Sequence, residues 1–168
     1  MQTFVLAEGS GTTSGDHLQA IDHYRGNFRP VKTLVDQLPT NTDTYIITDN
    51  YGLLRGTDTI EDASNKNHDQ TLTDATNTLL DQLPDAEIVI ILTTSETFRT
   101  VVADNWNTIV DTANPDSIWC LSSSQSVLNQ CDLDSLRDKI QTLHTYERLG
   151  VAPIDNDTRN ALLQTIET

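Results

Sequence analysis

The sequence predicts an α/β fold, a three-layer α/β/α sandwich with a mainly parallel sheet of four or five strands. Two observations lead to this prediction. Short apolar runs typical of buried strands alternate along the chain with amphipathic segments typical of helices, which is the pattern of βαβ units. The 168 residues also suit one domain of ordinary size, and no internal repeat, linker or low-complexity tract divides them.

Two strands and two helices are predicted in the first half of the chain. Each strand is a short apolar run, and each helix begins after a residue whose side chain can cap it. The second helix is amphipathic and carries a proline in its first turn, where proline is tolerated. In chain order these elements are the strand 3–7, a helix capped by Asp16 and ending at 24, a helix capped by Asn27 and ending at 38, and the strand 44–48.

The second half continues the alternation after a long loop over 49–67. The strand 87–92 is the most apolar of the chain, so we expect it at the centre of the sheet. Cys120 lies in a later apolar strand and is expected to be a small core residue. The elements are a helix over about 69–83, the strand 87–92, a helix capped by Thr94 or Ser95, the strand 117–121, a short helical segment, a helix over 133–149 and a helix capped by Asp155 or Asp157 and ending at 166.

The chain is strongly acidic, with 25 Asp and Glu against 10 Lys and Arg and a formal net charge of −15. Asp supplies 19 of the acidic residues, whereas Lys occurs only 3 times. In dilute buffer such a charge would loosen the fold by self-repulsion, but in molar salt the Debye length falls to about 3 Å. We therefore expect a protein of an extreme halophile, archaeal in type. An acidic interaction surface or a nucleic-acid mimic is the alternative, which the even spread of the charge disfavours.

No segment reads as a targeting sequence or a membrane span, because the apolar run 3–7 is too short for either. The 2 cysteines make no disulfide framework. We therefore expect a protein of a high-salt cytoplasm, with no membrane partner and with a homo-oligomer left open. Direct nucleic-acid binding is not expected, because no basic stripe could release counterions, although high salt weakens this objection.

Ligands of parallel α/β sheets bind outside the carboxyl ends of the strands. Each main predicted strand of this chain runs there into a polar loop, and the loops converge on one edge. This edge is therefore the predicted site. The polar loops are residues 8–15, 49–52, 93–96 and 122–125.

The first of these loops is rich in glycine, so its backbone N–H groups can approach an anion at the start of the following helix. It has neither the Lys of a P-loop nor the spacing of a dinucleotide fingerprint, and Asp16 opposes an anion unless an arginine offsets it. A phosphate or ribose cradle and a plain flexible turn both stay open. The candidate ligand-binding residues of this loop are Gly9, Ser10, Gly11 and Thr12.

Arginine is scarce, and Arg25, Arg29 and Arg55 are expected near the same edge. Their guanidinium groups can bind a phosphate or carboxylate in forked geometry. The alternative is that they form ion pairs with the abundant aspartates. Ser95, in the loop after the strand 87–92, is a further candidate ligand-binding residue.

Asp49 is the candidate catalytic residue, because a carboxylate directly after a strand can act as a general base or position a water. It can equally cap the turn that follows. Tyr51 beside it is a candidate to stack against a base. His17 and His23 lie six apart, without the spacing that a metal site on a helix requires, so we expect neither a metal nor a cofactor.

Residues 24–28, Tyr-Arg-Gly-Asn-Phe, and residues 46–54, Ile-Ile-Thr-Asp-Asn-Tyr-Gly-Leu-Leu, form a pair of short motifs. The pair resembles a family of small bacterial, phage and archaeal proteins that carry a Tyr-x-Gly-x-Phe element, then a helix and a strand ending in Ser-x-x-Tyr/His-Gly-Leu. That family is distantly similar to the uracil-DNA-glycosylase-like domain of archaeosine synthase. The resemblance covers roughly residues 3–105 and implies a Rossmann-like fold with a nucleoside or nucleobase pocket.

The chain departs from the family after its first strand, where members carry Cys-Ser-x-x-Lys and this chain has Glu8-Gly9-Ser10-Gly11. If the missing Cys or Lys is functional in the family, this chain binds without catalysing. The sequence therefore predicts a nucleotide- or nucleobase-handling protein, with a glycosidase-like or base-modification role. The alternative is a catalytically silent binding subunit of a larger assembly.

Overall fold

Among the residues that the structure describes, six strands form one mostly parallel sheet. This computed structural model describes residues 2–9, 13, 18–24, 26–39, 41–49, 51–63, 70–150 and 152–167. The strands are β1 (Thr3–Glu8), β2 (Thr42–Ile47), β3 (Leu53–Arg55), β4 (Ile88–Leu92), β5 (Ile118–Ser123) and β6 (Thr142–Glu147). Their order across the sheet is β3-β2-β1-β4-β5-β6, and all neighbours are parallel except β2 and β3.

Helices cover both faces of this sheet. One face packs α4 (Thr71–Gln82), α5 (Ser95–Val101), α6 (Trp106–Thr112), α7 (Gln125–Leu128) and α8 (Leu133–Lys139). The other face packs α1 (Ala20–His23), α2 (Arg29–Asp36), α3 (Ile60–Ala63) and α9 (Asn156–Glu167). The predicted three-layer α/β fold is therefore confirmed. None of the helices in the described part of the chain has the length and apolar character needed to cross a bilayer.

The strand β4 shows why the sheet needs both helical layers. All of its residues are buried, and they alternate between two hydrophobic clusters because successive side chains of a strand point to opposite faces. Val89 and Ile91 pack on the side of α4 to α8, whereas Ile88 and Ile90 pack on the side of α2 and α9. The predicted central place of this strand is confirmed, since β4 lies between β1 and β5.

The predicted helix over 133–149 is wrong in its second half. The helix α8 ends at Lys139, Ile140 is extended with φ −103° and ψ 173°, and β6 follows. The reason is tertiary: β5 is buried at every position, and its outer backbone groups pair with β6 in parallel register. Thr142, Thr145 and Tyr146 also suit a strand better than a helix. With this strand and β3 the sheet has six strands, so the predicted four or five is too low.

The short strand β3 lies within the segment predicted as a long loop. It returns antiparallel to β2 after a turn that Thr48 organises. The Thr48 hydroxyl donates to the carbonyl of Gly52 (2.7 Å) and accepts from the backbone N–H of Tyr51 (2.9 Å). Gly52 has a φ of 74°, in the left-handed region that glycine enters without strain. A strand of three residues is too short for alternation to reveal it.

Replacing Gly52 with alanine is expected to lower the free energy of unfolding by about 1–2 kcal/mol, because an L-residue is strained in the left-handed region. Gly150→Ala is the matched control, since the φ of Gly150 lies outside that region and a Cβ there meets no atom within 4 Å. Chemical denaturation of both variants measures the difference. Equal stability of the two would contradict this turn geometry.

Most other elements lie within two or three residues of their predicted bounds. The main difference is that two predicted helices are divided. The helix over 27–38 becomes a 3₁₀ turn (Gly26–Phe28) followed by α2, and the helix after residue 94 becomes α5, a second 3₁₀ turn (Ala103–Asn105) and α6.

Two individual predictions about side chains are confirmed. Asp155 caps α9 by accepting a hydrogen bond from the backbone N–H of Thr158 (2.8 Å), and hydrogen bonds from Thr158 lower the pKa of its carboxyl. Cys120 is a fully buried core residue, and burial raises the pKa of its thiol to about 12. The predicted cap Asp16 lies outside the described residues.

Candidate functional site

The carboxyl ends of the parallel strands β1, β2, β4, β5 and β6 lie along one edge of the sheet. The strand order reverses between β1 and β4, because the chain leaves β1 toward β2 on one side and later returns to β4 on the other. The segments after β1 and β4 therefore lead to helices on opposite faces. Such a reversal leaves a crevice, which is where open α/β sheets bind their ligands.

Glu8 ends β1 at this reversal and connects it to the segment after β4. Its carboxylate accepts hydrogen bonds from the backbone N–H of Thr94 (2.8 Å) and from the Thr94 hydroxyl (3.0 Å). These two donors fix the half-buried carboxylate across the crevice. The result is a preoriented acceptor at the point where a ligand of such a sheet is expected.

A cavity of about 180 Å³ opens beside this carboxylate. We call it the serine pocket, and it is lined by Thr94, Ser95, Ser124, Arg148 and Gly150. The Ser95 hydroxyl donates to the Ser124 hydroxyl (2.7 Å), which lies 3.3 Å from the hydroxyl of Ser126. Pockets that bury a whole small ligand have about 300–1,000 Å³. The serine pocket therefore fits one chemical group of a larger ligand.

Arg148 directly follows β6 and supplies a positive charge to the serine pocket. Its backbone N–H donates to the carbonyl of Ser123 (2.9 Å), which continues the sheet one residue beyond β6. Burial lowers the pKa of the half-buried guanidinium, while Glu8 and Tyr146 raise it. Arginine keeps its proton in proteins and can only donate hydrogen bonds. Arg148 thus supplies a hydrogen-bond donor to the pocket, and Thr94 links the pocket to the acceptor Glu8.

Two fully buried hydroxyl groups lie on the residues directly before Thr94 and Ser124. They belong to Thr93 and Ser123, and neither oxygen has a hydrogen-bond partner within the described ranges. The register of β4 and β5, in which Leu92 opposes Ser122, places these two residues side by side. An unpaired buried hydroxyl costs about 1–3 kcal/mol, so native structures generally bring a water or a ligand atom to such a group.

A second polar group, the tyrosine cluster, lies at the end of β2 and consists of Tyr24, Thr48 and Tyr51. The Thr48 hydroxyl donates to the carbonyl of Gly52. Burial raises the pKa of Tyr24 to about 12, Tyr51 and Asp49 contribute in the same direction, and the interaction of Thr48 with the Tyr24 side chain acts in the opposite direction. Tyr24 is buried in the core, whereas the half-buried Tyr51 can offer an apolar ring face and a hydroxyl to a ligand.

Gly9 packs against this cluster and does not offer its backbone to a ligand. Its N–H donates to the carbonyl of Ile47 (2.9 Å). A Cβ at this position would lie 2.7 Å from two ring carbons of Tyr24, so only glycine fits. Gly9 is one of the residues predicted to form the anion cradle, and in the structure it packs against Tyr24. The other cradle residues, Ser10, Gly11 and Thr12, lie outside the described residues.

The structure brings three of the other predicted site residues to the carboxyl edge. Ser95 lines the serine pocket and Tyr51 belongs to the tyrosine cluster. Asp49 is exposed, directly after Thr48 at the end of β2. These three come from the segments after β2 and β4, which lie on either side of β1.

The predicted arginines are placed differently. Arg55 lies away from the carboxyl edge, because it opposes Tyr45 in the register of β2 and β3. It pairs with Asp43 (3.2 Å) and lies over the Tyr45 ring, so the ion-pair alternative holds for this residue. Arg29 is exposed at the first residue of α2. Arg25 lies outside the described residues.

Two residues of this edge are absent from the sequence-based prediction, Glu8 and Arg148. Glu8 ends the first strand. Only its position could have identified it from the sequence, because carboxylates occur all along this chain. Arg148 also directly follows a strand, so the rule that selects Asp49 would have selected it. Arg148 is not selected because residues 142–147 are predicted as helix, so no predicted strand precedes it.

No group of three or more potential metal ligands occurs within the described ranges. Comparisons with protein-family models, with curated proteins and with solved structures found no match. The family resemblance of residues 24–28 and 46–54 therefore stays a prediction. The structure shows that Phe28 of this motif is buried and that Tyr24 and Phe28 pack together, with ring centroids 5.7 Å apart.

Proposed function

We propose that the protein binds a nucleobase, nucleoside or nucleotide at the carboxyl edge of its sheet. The observation that carries this proposal is the convergence of the tyrosine cluster, the Glu8 carboxylate and the serine pocket on neighbouring strands at the strand-order reversal. Neighbouring strands lie about 4.8 Å apart, so the ends of β2 and β4 are separated by about 10 Å. That span is comparable with the length of a nucleoside.

Each part of this edge suits a different part of such a ligand. Tyr51 offers an aromatic ring against which a base can stack. Glu8 accepts hydrogen bonds, Arg148 donates them, and the hydroxyl of Ser95 can do either. The motifs at residues 24–28 and 46–54 point to the same ligand class through their family resemblance. A Rossmann-like classification of the fold is part of this proposal.

Ligand binding is tested with thermal shifts and calorimetry in about 3 M KCl, using a panel of nucleobases, nucleosides and nucleotides. Tyr51→Leu is expected to weaken binding of the responding ligand by about 5- to 150-fold, because stacking on an aromatic ring contributes about 1–3 kcal/mol per base. Tyr45→Leu is the matched control, since Tyr45 lies over the opposite core cluster beside Phe4. No shift with any member of the panel would rule out the proposed function.

Catalysis, if present, is assigned to Asp49. This exposed carboxylate lies beside the tyrosine cluster, where it could activate a water against the bound ligand. Incubation of the bound nucleoside, with chromatography for released or altered base, measures turnover. Asp49→Asn is expected to abolish turnover and leave binding within about twofold, as a general base contributes to the reaction more than to affinity. Binding without turnover by the unmodified protein would favour the silent binding subunit.

The acidic surface supports the proposal that the protein works in a high-salt cytoplasm of a halophilic, archaeal type. None of the acidic side chains in the described part of the chain is buried. Lysine and arginine pair with only some of them; Lys32, for example, contacts Asp22 (3.3 Å) and Asp36 (2.9 Å). The remaining carboxylates face solvent on every layer of the fold. They therefore repel one another unless salt screens them.

A further inference from the structure

We infer that Glu8 and Arg148 together select an uncharged group, so that the ligand is a nucleoside or free nucleobase and not its phosphorylated form. The inference rests on the proposed function and narrows its ligand class.

The charges near the serine pocket leave no surplus for an anion. The guanidinium of Arg148 is offset by the carboxylate of Glu8, which Thr94 holds in place by two hydrogen bonds. Glu96 lies in the first turn of α5, directly after Ser95 of the pocket. Glu8, Glu96 and Arg148 are two carboxylates against one guanidinium, so their formal charge is −1. A phosphate brings about −1.5 to −2 charges and would be repelled.

Molar salt does not remove this discrimination. The Debye length in 1 M salt is about 3 Å, similar to the contact distance between a bound phosphate and a neighbouring carboxylate. Partly buried charges are screened less than exposed ones. Both Glu8 and Arg148 are half-buried, so their effect on a bound group persists where the effect of exposed carboxylates fades.

The hydrogen-bonding groups of the pocket match a neutral group that both donates and accepts. Glu8 can only accept and Arg148 can only donate, while the hydroxyls of Ser95 and Ser124 can do either. Two parts of a nucleoside have this pattern, the vicinal diol of the ribose and the N–H and C=O edge of a base. The cavity of about 180 Å³ is large enough for one such part. The unpaired hydroxyls of Thr93 and Ser123 belong to the residues directly before Thr94 and Ser124, which line the cavity.

The test compares each nucleoside with its 5′-monophosphate by calorimetry in about 1 M and 3 M KCl. The nucleoside is expected to bind at least about tenfold more tightly than its monophosphate, because the phosphate would bring like charges together at the site. Glu8→Gln keeps an acceptor for Thr94 but removes the charge. It is expected to lower the ratio of nucleoside affinity to monophosphate affinity severalfold. Free bases and 2′-deoxynucleosides are included, since loss of binding with the deoxy compound assigns the pocket to the ribose diol.

Arg148→Gln is the second variant and is expected to weaken nucleoside binding by about tenfold, the effect of losing a hydrogen bond from a charged donor. Arg137→Gln makes the same change of charge at an exposed position of α8 and is the matched control. Circular dichroism confirms that each variant is folded.

The outcomes separate this inference from the proposed function. The inference is supported if the nucleoside binds more tightly than its monophosphate and if Glu8→Gln lowers the ratio of these two affinities. Equal or tighter binding of the monophosphate overturns it and leaves the proposed function standing. Absence of binding by bases, nucleosides and monophosphates alike overturns both.

Discussion

Replacing Trp119 with alanine is expected to lower the free energy of unfolding by about 3–5 kcal/mol, the usual loss for a large aromatic residue in a core. Trp119 is fully buried in β5, opposite Val89 of β4 and Leu143 of β6. Its indole N–H donates to the hydroxyl of Ser117 (2.7 Å). Alanine would therefore leave a cavity between the sheet and the helices α4 to α8, and the Ser117 hydroxyl would keep only its own hydrogen bond to the carbonyl of Asn114 (2.6 Å).

The measurement is denaturant unfolding in about 3 M KCl, followed by the fluorescence of the remaining Trp106. Trp119→Phe is the graded control and is expected to cost about 1–3 kcal/mol, because the ring still fills most of the space. Ser117→Ala keeps the Trp119 ring and removes the hydrogen bonds of the Ser117 hydroxyl with Trp119 and with the carbonyl of Asn114, so it measures these bonds apart from the packing. A loss below about 1 kcal/mol for alanine would contradict the central place of β5 in the sheet.

Lowering KCl from about 3 M to 0.1 M is expected to reduce the free energy of unfolding by a few kcal/mol. The chain carries a formal net charge of −15, and two like charges about 10 Å apart in water repel by about 0.4 kcal/mol. At 0.1 M the Debye length is about 10 Å, so neighbouring carboxylates still repel, whereas in molar salt it is about 3 Å. Many such pairs add to an effect on the order of a few kcal/mol, which is large against ordinary protein stability.

Salt also strengthens apolar burial, so the charge effect needs its own control. The triple variant Asp81→Asn, Asp85→Asn and Asp104→Asn removes three exposed charges without touching the core. It is expected to be more stable than the unmodified chain in 0.1 M KCl and nearly equal to it in 3 M KCl. An identical salt dependence of both proteins would show that the acidity does not set the salt requirement.

The strands and helices of the sandwich could be predicted where a single period dominates the sequence. The apolar run of β4 is buried on both faces, and α2 buries Val31 and Leu34 on one side, as the patterns indicate. The prediction fails at β6, where every residue is half-buried and no period stands out. There the chain follows the unpaired edge of β5, which is a property of the assembled sheet and not of residues 142–147.

The candidate site divides in the same way. Tyr51, Asp49 and Ser95 could be located from the sequence, because each directly follows a strand or lies in the turn after it. Arg148 could not, because it follows the unpredicted β6. Glu8 directly follows the predicted strand 3–7, but its position does not distinguish it from the many other carboxylates of the chain. Gly9 is predicted as a ligand-binding residue, but its backbone N–H donates to the carbonyl of Ile47 and it packs against the ring of Tyr24.

The sequence by itself determined the class of the fold, the surface charge and the edge of the sheet where polar loops collect. Composition and periodicity are properties of the sequence itself, so they can be read without knowing which segments become neighbours in the fold. Only the tertiary structure decided that the described residues form a sheet of six strands, that Arg55 pairs with Asp43 away from the site, and that Glu8 accepts from Thr94, which lines the same pocket as Arg148. These outcomes depend on strand order and register, because hydrogen bonds between distant segments choose partners that no local pattern encodes.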